Sequence, residues 1–164
     1  MPQITQIFLS PGHNFFGHYG QPAGDHETVE VEDAQCVSGK GLLGDRFFDY
    51  KENYEGQVTF FSKEVYDSLC QQFQVWDKPV SVLRRNIIVE GVDLNGWIGV
   101  EFEVQGVRFF GSGESKPCFW MNEAFAPGAE QALSGQGGLR AKILTDGVLR
   151  LGAIPESDHT ALAS

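Results

Sequence analysis

The chain has 164 residues, 41% of them hydrophobic and 21% charged, which is enough for one domain with a real core and excludes a disordered chain. Its 22 acids against 12 bases leave a net charge of −10, which argues against non-specific nucleic-acid binding, because that needs a basic surface. No run of 18 apolar residues and no basic segment before an apolar N-terminal stretch occurs, so neither a membrane span nor a signal peptide is expected.

Residues 4–9 read as a first strand, ended by Ser10-Pro11-Gly12. An irregular loop rich in Gly, His and aromatics follows, and residues 28–32 alternate as a half-buried strand. The glycine-rich loop 39–44 leads into Asp45-Arg46, and residues 57–61 form a short strand. Ser62 can cap a helix running to Phe73, with Val65, Leu69 and Phe73 on one face. Asp77-Lys78-Pro79 breaks the chain, and residues 86–89 are a nearly continuous apolar strand. Residues 101–104 and 107–110 read as a hairpin across Gln105-Gly106, and residues 118–124 as a short helix behind Pro117. A second short helix is expected from Pro127 to Leu133, and a second hairpin from residues 141–144 and 148–151 across Asp146-Gly147. One domain over 1–154 is expected, with a flexible tail at 155–164. Such short strands, with 20 glycines and 13 phenylalanines and no βαβ alternation, predict a mostly β fold: a closed or strongly curved barrel with a few short helices.

Three cysteines, Cys36, Cys70 and Cys118, with no C-x-x-C pair, argue against a disulfide framework or structural zinc and point to a reducing cytoplasm. Cys118 stands out, because a preceding Lys116-Pro117 and an opening helix both favour thiolate over thiol. Thiolate is the form that ligates soft metals and attacks sulfur. Cys36 and Cys70 read as core residues. Anion contacts are offered by Arg46, by Arg84-Arg85 ahead of Asn86, and by Arg140 and Lys142 behind the Gly135-Gln136-Gly137-Gly138 loop. That loop precedes no clear helix, so it is neither a dinucleotide fingerprint nor a P-loop. His13, His18 and His26 have spacings that fit no standard metal site. No Ser-centred elbow occurs.

In their order these pieces resemble a MOSC domain, the module found in molybdenum cofactor sulfurases, in amidoxime-reducing proteins and in small stand-alone bacterial proteins. The matching stretches are Gly41-Leu42-Leu43-Gly44-Asp45-Arg46-Phe47-Phe48, Gly56-Gln57-Val58-Thr59, and Arg84-Arg85-Asn86-Ile87-Ile88-Val89-Glu90-Gly91-Val92-Asp93-Leu94. Ile98-Gly99-Val100-Glu101-Phe102, Pro117-Cys118 and Gly137-Gly138-Leu139-Arg140-Ala141-Lys142-Ile143-Leu144 complete a core of about 41–152. The resemblance implies a barrel-like fold and a pocket for molybdenum cofactor (molybdopterin), and, at family level, pyridoxal phosphate binding. It makes Cys118 the metal ligand or the carrier of persulfide sulfur. Arg46, Arg84, Arg85, Asn86, Lys116, Gly137, Gly138 and Arg140 become the cofactor contacts. Gln136 stands where relatives often have Arg, removing one cationic contact, and Gly152-Ala153 stands where they often have Gly-Asp.

Three functions follow. A thiolate-ligated molybdenum could reduce small N-hydroxylated substrates, with electrons from a separate reductase, since no flavin or iron–sulfur motif is present. Alternatively, Cys118 could accept sulfur from a cysteine desulfurase and pass it to a metal–sulfur centre. The third is a non-catalytic accessory binding module. No nucleic-acid or membrane partner is expected.

Overall fold

The computed structural model describes residues 2–11 and 28–155. His13, His18 and His26 lie outside the described residues, as does the expected tail beyond Pro155. No helix among the described residues is long and apolar enough to cross a membrane.

A large sheet takes strands β1 (Gln3–Leu9), β5 (Val58–Ser62), β6 (Ile87–Glu90), β7 (Glu101–Val104), β8 (Val107–Glu114), β9 (Leu139–Ile143) and β11 (Gly152–Ala153). Their order is β11-β1-β6-β5-β9-β8-β7, and β2 (Val29–Val31) pairs with β1 as well. The β5–β6 pair is parallel and the other strand pairs are antiparallel. A second sheet has the order β10-β3-β4, from β10 (Gly147–Arg150), β3 (Asp33–Val37) and β4 (Gly41–Leu42). Helices are α1 (Lys63–Phe73), α2 (Trp120–Ala124) and α3 (Ala129–Ala132), with 3-10 turns at Val80–Leu83 and Leu94–Trp97.

The architecture is mostly β, with a mixed sheet and few helices, but the expected closed barrel is not formed. The strand path ends at β11 and β7, which do not pair. Instead the Gln105 side chain bridges from the β7–β8 turn: its Nε2 donates to the carbonyls of Arg150 (3.0 Å) and Ala153 (3.1 Å), and its Oε1 accepts from the Arg150 amide. The apolar face of the large sheet is buried by other layers, so closure is not needed to hide it.

The expected hairpin across Asp146-Gly147 is also absent, because β9 pairs with β5 and β8 while β10 pairs with β3. The bend between them carries the chain from one sheet to the other. Ser38 fixes it, donating from its amide to Asp146 Oδ1 (2.7 Å) and from its hydroxyl to the Leu144 carbonyl (2.9 Å). The Gln105-Gly106 hairpin forms as expected.

Alternation along the strands sorts side chains between two apolar clusters. Ile7, Phe60, Ile87, Val89, Leu139 and Ala141 join one core with the small sheet. Their neighbours Phe8, Phe61 and Ile88 join a second core under the helices, with Leu69, Met121 and Leu133. Helix α1 starts where Ser62 Oγ accepts from the Val65 amide, and Val65, Leu69 and Phe73 face this second core. Gly111 lets the Leu94–Trp97 turn cross β8, since a Cβ there would lie 1.9 Å from the Trp97 carbonyl oxygen. Helix α2 starts later than expected, at Trp120, and Cys118 precedes it with its carbonyl accepting from the Met121 amide (3.0 Å).

Candidate functional site

Thr59, Asn86 and Arg140 alternate with core residues of β5, β6 and β9, which puts them on the helix-bearing face of the large sheet. There they line a cleft of about 470 Å³. Its walls are the segment between β4 and β5, the Arg84–Asn86 approach to β6, and the chain following β8. Arg46, Arg84, Arg85, Asn86, Lys116 and Arg140 all line it, together with Cys118. Gly137 and Gly138 do not line it, and Lys142 is engaged elsewhere, with Asn53 (3.1 Å).

Asn86 is saturated. Its Nδ2 donates to the Phe8 carbonyl (3.1 Å) and Asp45 Oδ1 (3.2 Å), and its Oδ1 accepts from the amide (3.0 Å) and hydroxyl (3.1 Å) of Thr59. It therefore ties β1, β5 and β6 to the Asp45 segment, with no side-chain hydrogen-bonding capacity left for a ligand. Buried Asp45 also accepts from the amides of Ser10 (2.8 Å) and Phe47 (3.3 Å), and Arg46 donates its amide to the Ser10 carbonyl (2.7 Å). These bonds set the place from which Arg46 enters the cleft.

Arg85 is buried and grips backbone. Its Nε donates to the Gly137 carbonyl (2.8 Å), its Nη1 to Leu83 (3.2 Å), and its Nη2 to Ser115 (2.9 Å) and Lys116 (3.5 Å). One guanidinium thus joins the turn before β6, the glycine loop and the chain leading to Cys118. The glycine pair permits this closeness: a Cβ on Gly137 would sit 2.4 Å from the Ser115 carbonyl oxygen, and one on Gly138 2.4 Å from that of Phe60. The loop amides of Gly135 and Gly137 donate to Glu114 Oε2 (2.9 and 3.1 Å), so the loop already holds an anion of the protein's own.

The cations that remain turned to the cleft are crowded. Burial, and secondly the charge of Arg46, push Arg84 down to about 9, with Asp45 and Cys118 opposing. Burial pushes Arg85 down to about 10, opposed by Cys118 and Glu114. Arg46 is lowered too, by burial, against Asp45. Arg84 also sits in the left-handed region, at φ 63°, a strained backbone for a non-glycine residue. Like charges held together out of water favour an incoming anion, which relieves the repulsion. Arg46 stacks over Phe47 (4.7 Å) and Arg140 over Tyr54 (5.7 Å), so aromatic rings set one rim.

Cys118 is exposed, while Cys36 and Cys70 are buried. Burial pushes the Cys36 thiol up to about 12, which makes it inert. Among the described residues no group of three or more His, Cys, Asp or Glu side chains is placed to hold a metal. A metal in this cleft would have one protein thiolate and would have to carry its other ligands with it. Sequence reasoning missed Asp45, Thr59 and Glu114 as parts of the site; only Asp45, next to Arg46 in a glycine-flanked turn, carried a local signal.

A family model described as the MOSC domain matches residues 17–154. Among curated proteins none matches the chain. The fold is similar to that of the YuaD protein from Bacillus subtilis, with a TM-score of 0.71 and 16% identity over 93% of each chain. It is similar to YiiM from Geobacillus stearothermophilus, at 0.66 and 13%, over 94% of this chain and 73% of that one. YiiM from Escherichia coli gives 0.62 and 14%, over 96% and 73%.

Proposed function

Since the chain belongs to the MOSC domain family, we propose that its cleft binds an anionic molybdenum–pterin cofactor of the molybdopterin type, with the Cys118 thiolate as protein ligand to the metal. One observation carries this reading: an exposed thiol shares a cleft with Arg46, Arg84, Lys116 and Arg140, in a protein whose net charge is −10.

The residues fit such a group. A phosphorylated pterin is flat and anionic, and guanidinium groups grip phosphate bidentately. A metal that arrives with sulfur ligands needs one soft donor from the protein, and Cys118 is that donor. When bound, the cofactor supplies a metal centre able to exchange an oxygen atom with a small N-hydroxylated substrate in a two-electron step, fed by a separate reductase. The chain's own residues prepare the cleft. Arg84 and Arg46 hold positive charge where the anion enters. Arg85 ties the Ser115 and Lys116 carbonyls, on the backbone leading to Cys118, to those of Leu83 and Gly137. Asn86 and Asp45 hold the Arg46 segment against the sheet.

The test is metal analysis and pterin fluorescence after expression in a host that makes the cofactor. Wild type is expected to carry molybdenum and pterin in equal amounts. Cys118→Ser should lose metal, and Arg84→Ala should lose both. Wild type carrying neither overturns the proposal.

The exposure of Cys118 favours a second reading, a sulfur carrier whose thiol is reachable by a cysteine desulfurase. Incubation with desulfurase and cysteine should then add the mass of one sulfur atom to the Cys118 peptide. An unmodified peptide rules this out.

A further inference from the structure

We propose that Glu114 is a positioning residue whose carboxylate, by filling the amide nest of the glycine loop, holds the Cys118 turn in its place at the cleft. This rests on the reading of Cys118 as the reactive group.

The bonds close a ring. Glu114 Oε2 accepts from the amides of Gly135 and Gly137, and the Gly137 carbonyl accepts from Arg85 Nε. Arg85 Nη2 then returns to the carbonyls of Ser115 and Lys116, the residues directly after Glu114. The Ser115 amide donates to the Gly138 carbonyl (2.8 Å), a second tie across the ring. Two segments 21 residues apart are thereby pressed backbone to backbone, with no space for a side chain on Gly137.

Converging amides on one oxygen form an anion site, and here the anion is built in. Pro117 transmits the constraint. A Cβ on Gly137 would come within 2.8 Å of the Pro117 Cδ, so the ring and the loop are already in contact. Proline fixes its own φ, which limits where the next residue, Cys118, can go. Releasing the loop therefore frees the Cys118 turn from the wall of the cleft it shares with Arg84 and Arg85. Glu114 also faces a second cavity of about 570 Å³, bounded by Asn122, Glu130 and Ser134, so the strap it anchors is a wall between two open spaces rather than part of the core. Such a strap has little packing to hold it and depends on these hydrogen bonds.

The experiment is the rate at which iodoacetamide alkylates Cys118 in the purified full chain at fixed pH, read by peptide mass mapping. Geometry and charge are separated by three variants. Glu114→Asp keeps the charge but is one methylene short of both amides, and Glu114→Ala removes both. Glu114→Gln removes the charge and keeps the acceptor. Glu114→Asp and Glu114→Ala, whose freed turn leaves the cleft wall, are expected to react about tenfold faster, Glu114→Gln no faster than wild type, and formate in the buffer should slow Glu114→Ala again by refilling the nest. Should Glu114→Ala not fold, Glu114→Asp carries the test. Wild-type rates in Glu114→Asp, or a Glu114→Gln as fast as Glu114→Asp, overturn the proposal. No molybdenum enters this assay, so wild type lacking cofactor defeats the cofactor reading and leaves this one standing. The reverse outcome defeats this one alone.

Discussion

The two faces of the large sheet come from the same strands and hold opposite chemistry. Toward the small sheet, Phe60, Ile87, Leu139 and Ala141 join one buried apolar cluster. One residue earlier on β5 and one residue before β6, Thr59 and Asn86 belong to a cleft of charge and hydrogen bonds, as does Arg140 between Leu139 and Ala141. The period of two lets one strand serve stability on one side and binding on the other. Substitutions of adjacent residues should therefore separate the two properties.

The largest effect is expected at Phe60. Its ring is fully buried and meets Trp97, Phe102 and Phe109 edge-on, at 6.3, 5.8 and 5.3 Å. Phe60→Ala should cost about 3–5 kcal/mol in urea unfolding. Anion binding measured well below the unfolding midpoint should remain as in wild type, because that ring packs in the core on the other face of the sheet and does not line the cleft. A coincident loss of anion affinity would show that the two faces are not independent.

Asn86 is where the separation should fail. Asn86→Ala strips partners from the Phe8 carbonyl, the Thr59 amide and Asp45, at a cost of about 2–3 kcal/mol. It also unties the Asp45-Arg46 segment, so anion affinity should fall with stability. Asn86→Asp should be at least as harmful, since a second carboxylate would face Asp45 Oδ1. Calorimetric titration with inorganic phosphate beside a thermal melt distinguishes this joint loss from a pure loss of stability.

The cysteines extend the contrast. Cys36, on the small sheet, holds its proton up to about 12 because burial disfavours the thiolate. In the unfolded chain the same thiol ionises near about 8.5. Below that pH both states are protonated and Cys36 adds no pH dependence. Above it the unfolded chain releases a proton that the folded chain keeps, so stability should fall by about 1.4 kcal/mol per pH unit. The difference between wild type and Cys36→Ala in urea midpoints across alkaline pH isolates this slope. Parallel curves would mean that Cys36 is accessible to hydroxide.

Much of this was legible in the sequence, for local reasons. Ser62 with Val65, Leu69 and Phe73 spells a capped amphipathic helix, and Gln105-Gly106 between alternating strands spells a hairpin. Motif order named Arg46, Arg84, Lys116, Cys118 and Arg140, which meet in one cleft. What stayed hidden depends on pairing between distant segments. Asp146-Gly147 looks like a hairpin turn, but Ser38, over a hundred residues away in sequence, makes it a passage between sheets. The glycine loop at 135–138 reads as an open anion loop, yet Glu114 accepts from its Gly135 and Gly137 amides and Arg85 donates to its Gly137 carbonyl. Sheet closure was expected because strands need their edges covered, but here Gln105 ties the β7–β8 turn to Arg150 and Ala153 in its place.

Arg140 tests the contrast at its smallest scale. It lies between Leu139 and Ala141, both fully buried, yet it is only half-buried itself, and its guanidinium rests over Tyr54 beside Gly56. A surface cation–π contact contributes about 0.5–1 kcal/mol, so Arg140→Ala should lower the unfolding midpoint only slightly. The same change removes one of the cations that draw an anion inward, and affinity for phosphate should fall about tenfold, with a shallower dependence on salt. Arg140→Lys keeps the charge and loses the planar fork, so it should recover the salt dependence but not the full affinity. If Arg140→Ala instead unfolded the protein while leaving phosphate affinity intact, the residue would belong with Leu139 and Ala141, and the cleft would end at Tyr54.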